Sequence, residues 1–303
     1  MAKAHIDSNK HGVGVLLILL SALSFSFMTA FVAMSRELHL FEQTFFRNLI
    51  GLVIAGVFCK RNHVSFYGER KYQPQLFARS LLGLLAVASL FYASRNSLQA
   101  DVAVVLRTGM FTISLVSVLF LGEKLTKMHI PAMAIAFIGA YIAANPSFDS
   151  SFLPLAAAFL SALCDTVCYP LLSFFSGRVH PITVVMHFCT VSTVIAGILM
   201  IPHFVMPSPM QMLYLLLIGI FAAAGQLCMT YAYRMAAAGE LSVYNQASII
   251  FNAVVGFLLL GEVPPLRTVI GGAMVLAASA ALFFSKKKQL HGENTEEKPA
   301  ETC

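Results

Sequence analysis

The chain contains the stretch Leu119-Phe120-Leu121-Gly122-Glu123 and, 139 positions later, the stretch Leu258-Leu259-Leu260-Gly261-Glu262. Each stretch closes a long apolar segment. The correspondence runs backwards without a gap as far as Tyr92, which aligns with Tyr231. Charged positions match in the same register, and apolar composition alone does not produce such a match. We therefore interpret the chain as an internal duplication whose function lies where the two halves meet.

The front of each half repeats as well. At an offset of 140, Ser21-Ala22-Leu23 aligns with Ser161-Ala162-Leu163, and Arg47 aligns with His187. A helix-breaking Asn145-Pro146-Ser147 separates the halves, and a polar, Glu-rich segment at the C-terminus predicts disorder. The predicted units are a cytoplasmic N-terminal segment 1–11, a first repeat 12–144, a linker 145–151, a second repeat 152–284 and a disordered cytoplasmic tail 285–303.

Composition excludes a soluble protein. The chain is 58% hydrophobic and 11% charged, whereas soluble domains carry about 25% charged residues. Its apolar segments approach the ~20 residues that a helix needs to cross the hydrocarbon core. The sequence thus predicts an all-α polytopic membrane protein. Ten spans are expected, at about 12–34, 41–59, 75–94, 100–121, 129–144, 152–175, 181–201, 210–233, 240–260 and 266–284.

The positions of lysine and arginine predict the orientation. With the N-terminus in the cytoplasm, fourteen of these residues in the loops, tails and span ends face inward and only Arg36, Arg95 and Arg267 face outward. Both termini are therefore predicted to lie inside. Because each half has five spans, the second half must enter the bilayer upside down. Inverted repeats place a substrate site near the midplane at their interface.

The remaining composition narrows the class of function. The net charge of +6 comes mostly from short loops and tails, so it does not indicate a nucleic-acid partner. The six cysteines lie mainly in apolar runs and lack the spacing of zinc sites or disulfides. The sequence also lacks HExxH, Gly-x-Ser-x-Gly and Walker motifs. We expect no metal, no cofactor and no enzymatic activity.

Several motifs carry a family resemblance. They are Arg79-Ser-Leu-Leu-Gly83, Phe91-Tyr92-Ala93 and Gln99-Ala100-Asp101 in the first half, the segment Phe46-Arg47-Asn48-Leu49-Ile50-Gly51, and Tyr231-Ala232-Tyr233 through Gly261-Glu262-Val263-Pro264 in the second half. In this order the motifs resemble the EamA domain of the drug/metabolite transporter superfamily, from about Gly12 to Phe284. The resemblance implies a ten-helix carrier with a central cavity, moving small metabolites through the cytoplasmic membrane. It does not imply a cargo.

The chain departs from this family at one point. Members often have a proline in the fourth and ninth spans, where this chain has Met110 and Ile249. The sequence therefore leaves open whether these two helices are broken.

Ionisable groups inside a bilayer are candidate site residues by default. Arg107 lies about 10 Å into its span at 1.5 Å per residue, and the ninth span offers Asn245, Gln246 and Asn252 near the mirrored position. A guanidinium suits a carboxylate or phosphate, so we predict a substrate-binding site here. The alternative is that Arg107 pairs with a protein carboxylate or a helix carbonyl end.

Four further groups have two interpretations each. Arg47 either binds substrate or snorkels to the surface, and for Arg79 snorkelling is favoured. His187 either takes part in proton coupling or is a hydrogen-bonded packing residue. Asp165 either couples transport to a proton, because burial and a nearby arginine shift its pKa in opposite directions, or forms a structural salt bridge to Arg47 or Arg107.

The remaining candidates are symmetric pairs near the membrane surfaces. Tyr92 and Tyr231 stack on substrate or belong to an aromatic belt. Glu123 and Glu262 are either gating contacts or turn residues that accept hydrogen bonds from backbone amides. Arg95 with Asp101, and Arg234 with Glu240, are predicted to be structural pairs.

The leading functional hypothesis is a secondary carrier of a small polar, anionic or zwitterionic metabolite. Its partners would be the small-molecule substrate, the lipid bilayer and a coupling proton, and a single chain suffices for such a carrier. The alternatives are a channel, a membrane scaffold or an intramembrane enzyme. The cargo, direction, coupling ion and oligomeric state are left open.

Overall fold

The computed structural model describes residues 8–109, 111, 129–144, 152–235, 241 and 244–296. Within these ranges all the regular elements are helical. The helices are α1 (Ser8–Met34), α2 (Leu40–Arg61), α3 (Gln73–Asn96), α4 (Gln99–Leu106), α5 (His129–Ala144), α6 (Phe152–Phe175), α7 (Pro181–Met200), α8 (Pro209–Met235), α9 (Ser248–Val255) and α10 (Leu266–Glu296). Arg70–Tyr72 and Ile201–His203 form short 3₁₀ turns, and a π-helical turn, Gly256–Leu260, follows α9.

Length and composition make five of the described helices suitable to cross a membrane. These segments are Gly12–Met34, Leu40–Arg61, Arg70–Asn96, Pro181–His203 and Pro209–Met235. Four shorter apolar helices accompany them, at Ile130–Ala143, Phe152–Cys168, Ser248–Leu260 and Leu266–Leu282. The prediction of an all-α polytopic membrane protein is confirmed.

Helices α2 and α7 begin in the same way. Each is preceded by an extended histidine, His39 or His180, whose imidazole Nδ1 accepts a hydrogen bond from the backbone N–H two residues on, at 3.4 and 3.3 Å. Such a contact satisfies one of the amides that a helix N-terminus leaves without an intrahelical partner. Lys60 and Arg61 in the last turn of α2 complement the negative end of its dipole.

Equivalent helices of the two halves pack against each other in antiparallel directions. Along α2 and α7, Phe45 lies against Gly197 and Gly51 against Cys189. Helices α5 and α10 cross at Gly139 and Gly271, where the absence of side chains allows the backbones to approach closely. Antiparallel packing of equivalent helices requires a two-fold axis perpendicular to them, so the repeats are inverted.

The other helix pairs obey the same symmetry. Helix α1 packs on α8, and its equivalent α6 packs on α3. Likewise, α1 contacts α9 while α6 contacts α4, and α2 contacts α8 while α7 contacts α3. Exchanging the halves leaves this pattern unchanged, so one pseudo-two-fold axis relates the whole set.

Both helices that lack the usual proline are nevertheless interrupted. Helix α4 ends at Leu106 and is followed by a turn at Arg107 and Thr108; α9 begins after the equivalent turn at Gln246 and Ala247. The Thr108 amide donates to the Val105 carbonyl at 3.1 Å, and the Ala247 amide donates to the Tyr244 carbonyl at 3.0 Å. Each break is thus a tight 3₁₀-type turn, in register across the duplication.

The C-terminus differs from the expectation. The sequence predicts a disordered tail from residue 285, whereas α10 continues to Glu296. The Lys, Gln, Leu and Glu residues of this extension are good helix formers, so a helix leaving the membrane can propagate through them. The linker 145–151 and residues 297–303 lie outside the described residues.

Candidate functional site

The helix breaks lie at the same level inside the protein. Helices α4 and α9 run antiparallel, with Gln99 beside Gly256 at one end and Val104 and Ile249 both against Gly272 further in. Continuing this register places the turn after α4 opposite the turn before α9. Helix interruptions leave backbone groups without helical partners, which is why transporter sites are often built from them.

Arg107 stands at the first of these breaks. It is half-buried, and its Nε has no hydrogen-bond partner among the described residues. The Tyr233 hydroxyl interacts electrostatically with both Arg107 and Asp165, so these three groups share one polar region. Arg107 and Asp165, which the sequence predicts to be associated, thus lie in the same region. The role of each remains a prediction.

The opposite break carries the predicted amides. Asn245 and Gln246 are buried there. Asn252, one turn further along α9, donates from Nδ2 to the Ser248 carbonyl at 2.8 Å and accepts through Oδ1 from the Thr29 hydroxyl at 3.2 Å. Asn252 therefore links α9 to α1 of the other repeat.

A second polar cluster lies between α2, α3 and α7. The guanidinium carbon of Arg47 is 5.3 Å from the centre of the Phe188 ring, and that of Arg79 is 4.6 Å from the same centre. Both arginines are only 4% exposed. We call Arg47 and Arg79 the arginine pair. Arg47 is therefore inside the protein, and the snorkelling interpretation of Arg79 is wrong because its guanidinium is covered by α7.

His187 adjoins this pair. Its Nδ1 lies 2.9 Å from the Ser80 hydroxyl, which also donates to the Leu76 carbonyl at 2.8 Å. His187 and Ser80 are the chain neighbours of Phe188 and Arg79. The hydrogen bond fits the packing interpretation of His187, and its part in proton coupling stays a prediction.

One cysteine connects the two polar clusters. The sulfur of Cys168 on α6 lies 3.8 Å from the Arg79 carbonyl oxygen. The thiol interacts electrostatically with both Arg79 and Asp165. The arginine pair and the Asp165 region are therefore adjacent parts of one polar interior.

The end of the bundle that carries the α1–α2 loop, here the α1–α2 face, holds several candidates. Glu262 accepts from the Gln99 amide at 2.8 Å, as expected for a residue that bonds backbone amides. Arg95 donates to the Arg36 carbonyl, and Asp101 accepts from the Thr268 hydroxyl. Arg95 and Asp101 thus have separate partners, the α1–α2 loop for Arg95 and α10 for Asp101, and do not pair with each other as predicted.

The opposite end, which carries the α2–α3 loop, is the α2–α3 face. Arg234 is exposed there and lines a cavity between α6, α7 and α8, whose walls include Leu172, Val184 and Thr230. Glu123 and Glu240 lie outside the described residues.

Neither candidate tyrosine lies in the polar clusters. Tyr231 packs on an apolar cluster of α2 and α7 that contains Ala55 and Val185. Tyr92 is half-buried near the end of α3, and its carbonyl accepts from Asn96. Their substrate roles stay predictions.

Symmetry-related contacts join the repeats at both faces. On the α1–α2 face the Val205 amide points to the Glu42 carboxylate at 3.5 Å. On the α2–α3 face the Thr183 hydroxyl donates to the Ser65 carbonyl at 2.6 Å. Glu42 and Thr183 are each the third residue after a histidine cap, and each meets the segment following the partner helix. We call these two contacts the latches.

Two stacked histidines lie beside the latch on the α1–α2 face. The His39 ring stacks on His203 with centroids 4.5 Å apart. Burial, and then the charges of His203 and Arg95, lower the pKa of His39. Burial together with Arg234 lowers the pKa of His180 at the other face. Burial raises the pKa of Glu262, against the effect of its bond to Gln99, and the charge of Asp101 raises it further.

Metal binding has no support within the described ranges. No group of three or more His, Cys, Asp and Glu side chains there could hold an ion.

Sequence reasoning misses the neighbours of Arg47 and His187. The sequence predicts Arg79 near the surface, and it gives no reason to select Phe188 beside Arg47 or Ser80 beside His187. Phe188 directly follows His187, the symmetry counterpart of Arg47, so the repeat alignment carried a signal for this part of α7. An apolar side chain in an apolar helix gives no signal of its own.

The sequence is similar to known membrane proteins along most of its length. The profile of the EamA-like transporter family matches residues 12–145 and 153–284. The chain is 31% identical over 277 residues to the pseudopaline exporter of Pseudomonas aeruginosa, covering 90% of this chain and 97% of that protein. It is 25% identical over 305 residues to a riboflavin transporter of Rhizobium johnstonii, covering 97% of each.

The fold is similar to a solved crystal structure. The superposition gives a TM-score of 0.66 at 18% sequence identity and covers 91% of this chain and 98% of the other. At this identity the likeness concerns the fold alone.

Proposed function

The chain belongs to the EamA-like transporter family, and from this premise we propose that it is a secondary active transporter. Its substrate is a small anionic or zwitterionic metabolite. The two inverted repeats rock against each other, so that the polar interior opens to one side of the cytoplasmic membrane at a time. Both termini lie in the cytoplasm.

The paired helix breaks carry this proposal. Two antiparallel helices, one from each repeat, are interrupted at the same level, with Arg107 at one break and Gln246 at the other. A helix that only anchors a protein in lipid gains nothing from an interruption, because its backbone groups are satisfied when it is continuous. Interrupted helices near the midplane of inverted repeats are typical of substrate sites in secondary transporters.

The latches provide a structural basis for alternating access at the two faces. One joins Glu42 to the segment after α7, and the other joins Thr183 to the segment after α2. In a rocking cycle each opens while the other stays closed. The charge distribution assigns the α1–α2 face to the outside and the α2–α3 face to the cytoplasm.

The relatives support transport but not a cargo. One is named as a pseudopaline exporter and another as a riboflavin transporter. Because these names specify different compounds, the cargo of this chain has to be argued from its own polar residues. The buried arginines favour an anionic group.

Alternating access can be tested without knowing the substrate. Ser248, buried at the α9 break, is replaced by cysteine, and its reaction with a membrane-impermeant thiol reagent is followed in right-side-out and inside-out vesicles. The same chain also carries His39→Cys and His203→Cys. A short bifunctional thiol reagent cross-links these two cysteines and so holds the outer face closed. Untreated vesicles, and the parent chain with its native cysteines, are the controls.

We expect the cross-link to stop labelling of the Ser248→Cys thiol from outside and to speed its labelling from the cytoplasmic side. The acceleration follows because locking one face shut shifts the population toward the state open at the other. A channel with independent gates would show an unchanged cytoplasmic rate. That result, or a slower rate, would contradict the proposal.

The inverted topology has its own control. His63 and His203 are both exposed and occupy loops that follow equivalent helices. A single His63→Cys should react only from the cytoplasmic side and a single His203→Cys only from outside. Reaction of both from one side would exclude this arrangement.

A further inference from the structure

The arginine pair is a feature that the transport cycle alone does not require. Arg47 comes from α2 and Arg79 from α3, and both guanidinium groups lie against the ring of Phe188 on α7. The distance between their carbons cannot exceed the sum of the two ring distances. Two permanent cations are therefore close together inside the protein, at the boundary between the repeats.

Neither cation is neutralised by the part of the protein that the structure describes. Arg47 donates from Nη1 to the Asn48 side chain at 2.6 Å, and the ionisable groups that act on it are the Cys189 thiol and Arg79 itself. The Nε of each arginine, and Nη1 of Arg79, have no hydrogen-bond partner. Within the described ranges no carboxylate pairs with either group.

Such an arrangement is costly in the free protein. A charge within a bilayer costs at least a few kcal/mol, and like charges in a low-dielectric interior repel strongly. The buried N–H groups add the penalty of missing hydrogen bonds. An anion that enters the site removes all three costs at once.

The sequence holds this arrangement in place. A Cβ on Gly83 would lie 2.9 Å from a Phe188 ring carbon and 3.3 Å from Arg79 Nη1, and a Cβ on Gly51 would lie 2.9 Å from the Cys189 sulfur. Glycines on α2 and α3 therefore let α7 approach closely enough for its ring to contact both guanidinium groups.

A small cavity lies on the side of the pair toward the α2–α3 face. Val184, one helical turn before Phe188 on α7, lines the cavity at the α2–α3 face together with Leu172, one turn beyond Cys168 on α6. The polar interior at Arg79 thus lies directly behind the wall of a cavity on the face assigned to the cytoplasm.

We propose that the arginine pair binds a substrate that carries two negative charges, either on two carboxylates or on one phosphate group. The unpartnered N–H groups lead to this class, because each guanidinium has at least one buried donor available to a negatively charged group. The guanidinium fork also matches carboxylate and phosphate oxygens in geometry. This inference rests on the proposed transport function and narrows its substrate. Both arginines belong to the first repeat and the ring that they contact, Phe188, belongs to the second, so the bound dianion lies where the two repeats meet.

Thermal unfolding of the purified full-length protein in detergent tests this inference. The probes are succinate, inorganic phosphate and acetate, each titrated at constant ionic strength. A ligand that binds only the folded state raises its melting temperature by mass action. We expect a saturable rise with succinate or with phosphate and none with acetate. The responding dianion shows whether the site takes dicarboxylates or phosphates.

Two variants test whether the rise in melting temperature comes from binding at the arginine pair. In Arg47→Gln and Arg79→Gln we expect half-saturation by the responding probe to require about tenfold or more probe, the consequence of losing one charge-assisted hydrogen bond. Without a probe, both variants should melt at the same temperature as the parent or higher, because an uncompensated buried charge has gone. A structural role would instead lower the melting temperature.

Arg178→Gln is the matched control. Its guanidinium also lies on a phenyl ring, 4.3 Å from the centre of Phe174, but it is exposed at the end of α6. The probe response of this variant should equal that of the parent.

Three results would overturn the inference: no rise with either dianion, an equal rise with acetate, or an undiminished response in both arginine variants. None of them touches the vesicle labelling of the Ser248→Cys chain, which contains no ligand. If labelling fails to alternate, the transport proposal fails whatever the probes do. If labelling alternates and the dianions do not bind, only the substrate class is wrong.

Discussion

Glu262 accepts a hydrogen bond from the backbone amide of Gln99 at 2.8 Å, and through it the end of the ninth membrane segment caps the first residue of α4. The two residues belong to different repeats. A carboxylate at a helix N-terminus is stabilised both by the free amide and by the helix dipole. The contact therefore fastens the interrupted α4 at the face where its partner helix ends.

The burial of Glu262, which outweighs this contact in its effect on the pKa, predicts a pH dependence of stability. Because burial raises the pKa of Glu262 above 4.5, the folded state retains this proton better than the unfolded state does. The melting temperature should fall as pH rises from about 4.5 through the raised pKa of the folded protein. In Glu262→Gln, whose side-chain oxygen can still accept from Gln99, this part of the slope should disappear. An identical slope in the variant would show that other groups cause it.

The histidine cap of α2 predicts the opposite sign. The pKa of His39 is lowered below 6.5, and its unprotonated Nδ1 accepts from the Phe41 amide. Stability from this residue is present above pH 6.5 and should be lost as pH falls through the lowered pKa. His39→Ala should cost about 1 kcal/mol at neutral pH, and His39→Asn should restore most of it, because asparagine is a good cap. Equal stability of the two variants would exclude a capping role.

The crossing of α5 and α10 predicts a strict requirement for glycine. A Cβ on Gly139 would lie 2.7 Å from the Gly271 carbonyl oxygen, and a Cβ on Gly271 would press on the Ala143 backbone at 3.0 Å. Gly271→Ala should lower stability by about 1–3 kcal/mol, as overpacking does. Gly56→Ala is the control, since its added methyl group would meet only Met186 Cε at 4.0 Å. Thermal unfolding of both variants measures the difference.

Proton coupling through Asp165 predicts a separable defect. Asp165→Asn should abolish the response of transport to a pH gradient while leaving exchange of substrate for substrate intact, because the neutral amide cannot carry the proton. Proteoliposomes loaded with the responding dianion allow both measurements. Glu37→Gln is the control, since Glu37 is exposed and bonded to Gln211 at the α1–α2 face. A normal gradient response in Asp165→Asn would remove this residue from the coupling mechanism.

The sequence predicts the fold better than the site for physical reasons. Apolar length and a repeat with an odd number of spans determine the helices and their inversion. The breaks near Arg107 and Gln246 occur without a proline, so local sequence leaves them open. The depth of Arg79 was counted along α3, but burial depends on what covers the side chain. That cover is Phe188, more than a hundred residues away in the chain.

The two latches occupy equivalent positions but differ in chemistry, a carboxylate with an amide at one end and a hydroxyl with a carbonyl at the other. An exact duplication would give two identical latches of equal strength. A transporter with identical latches would have no preference between its two orientations. Divergence at Glu42 and Thr183 removes that degeneracy. We therefore expect the two latches to differ in strength and the protein without substrate to favour one of its two orientations.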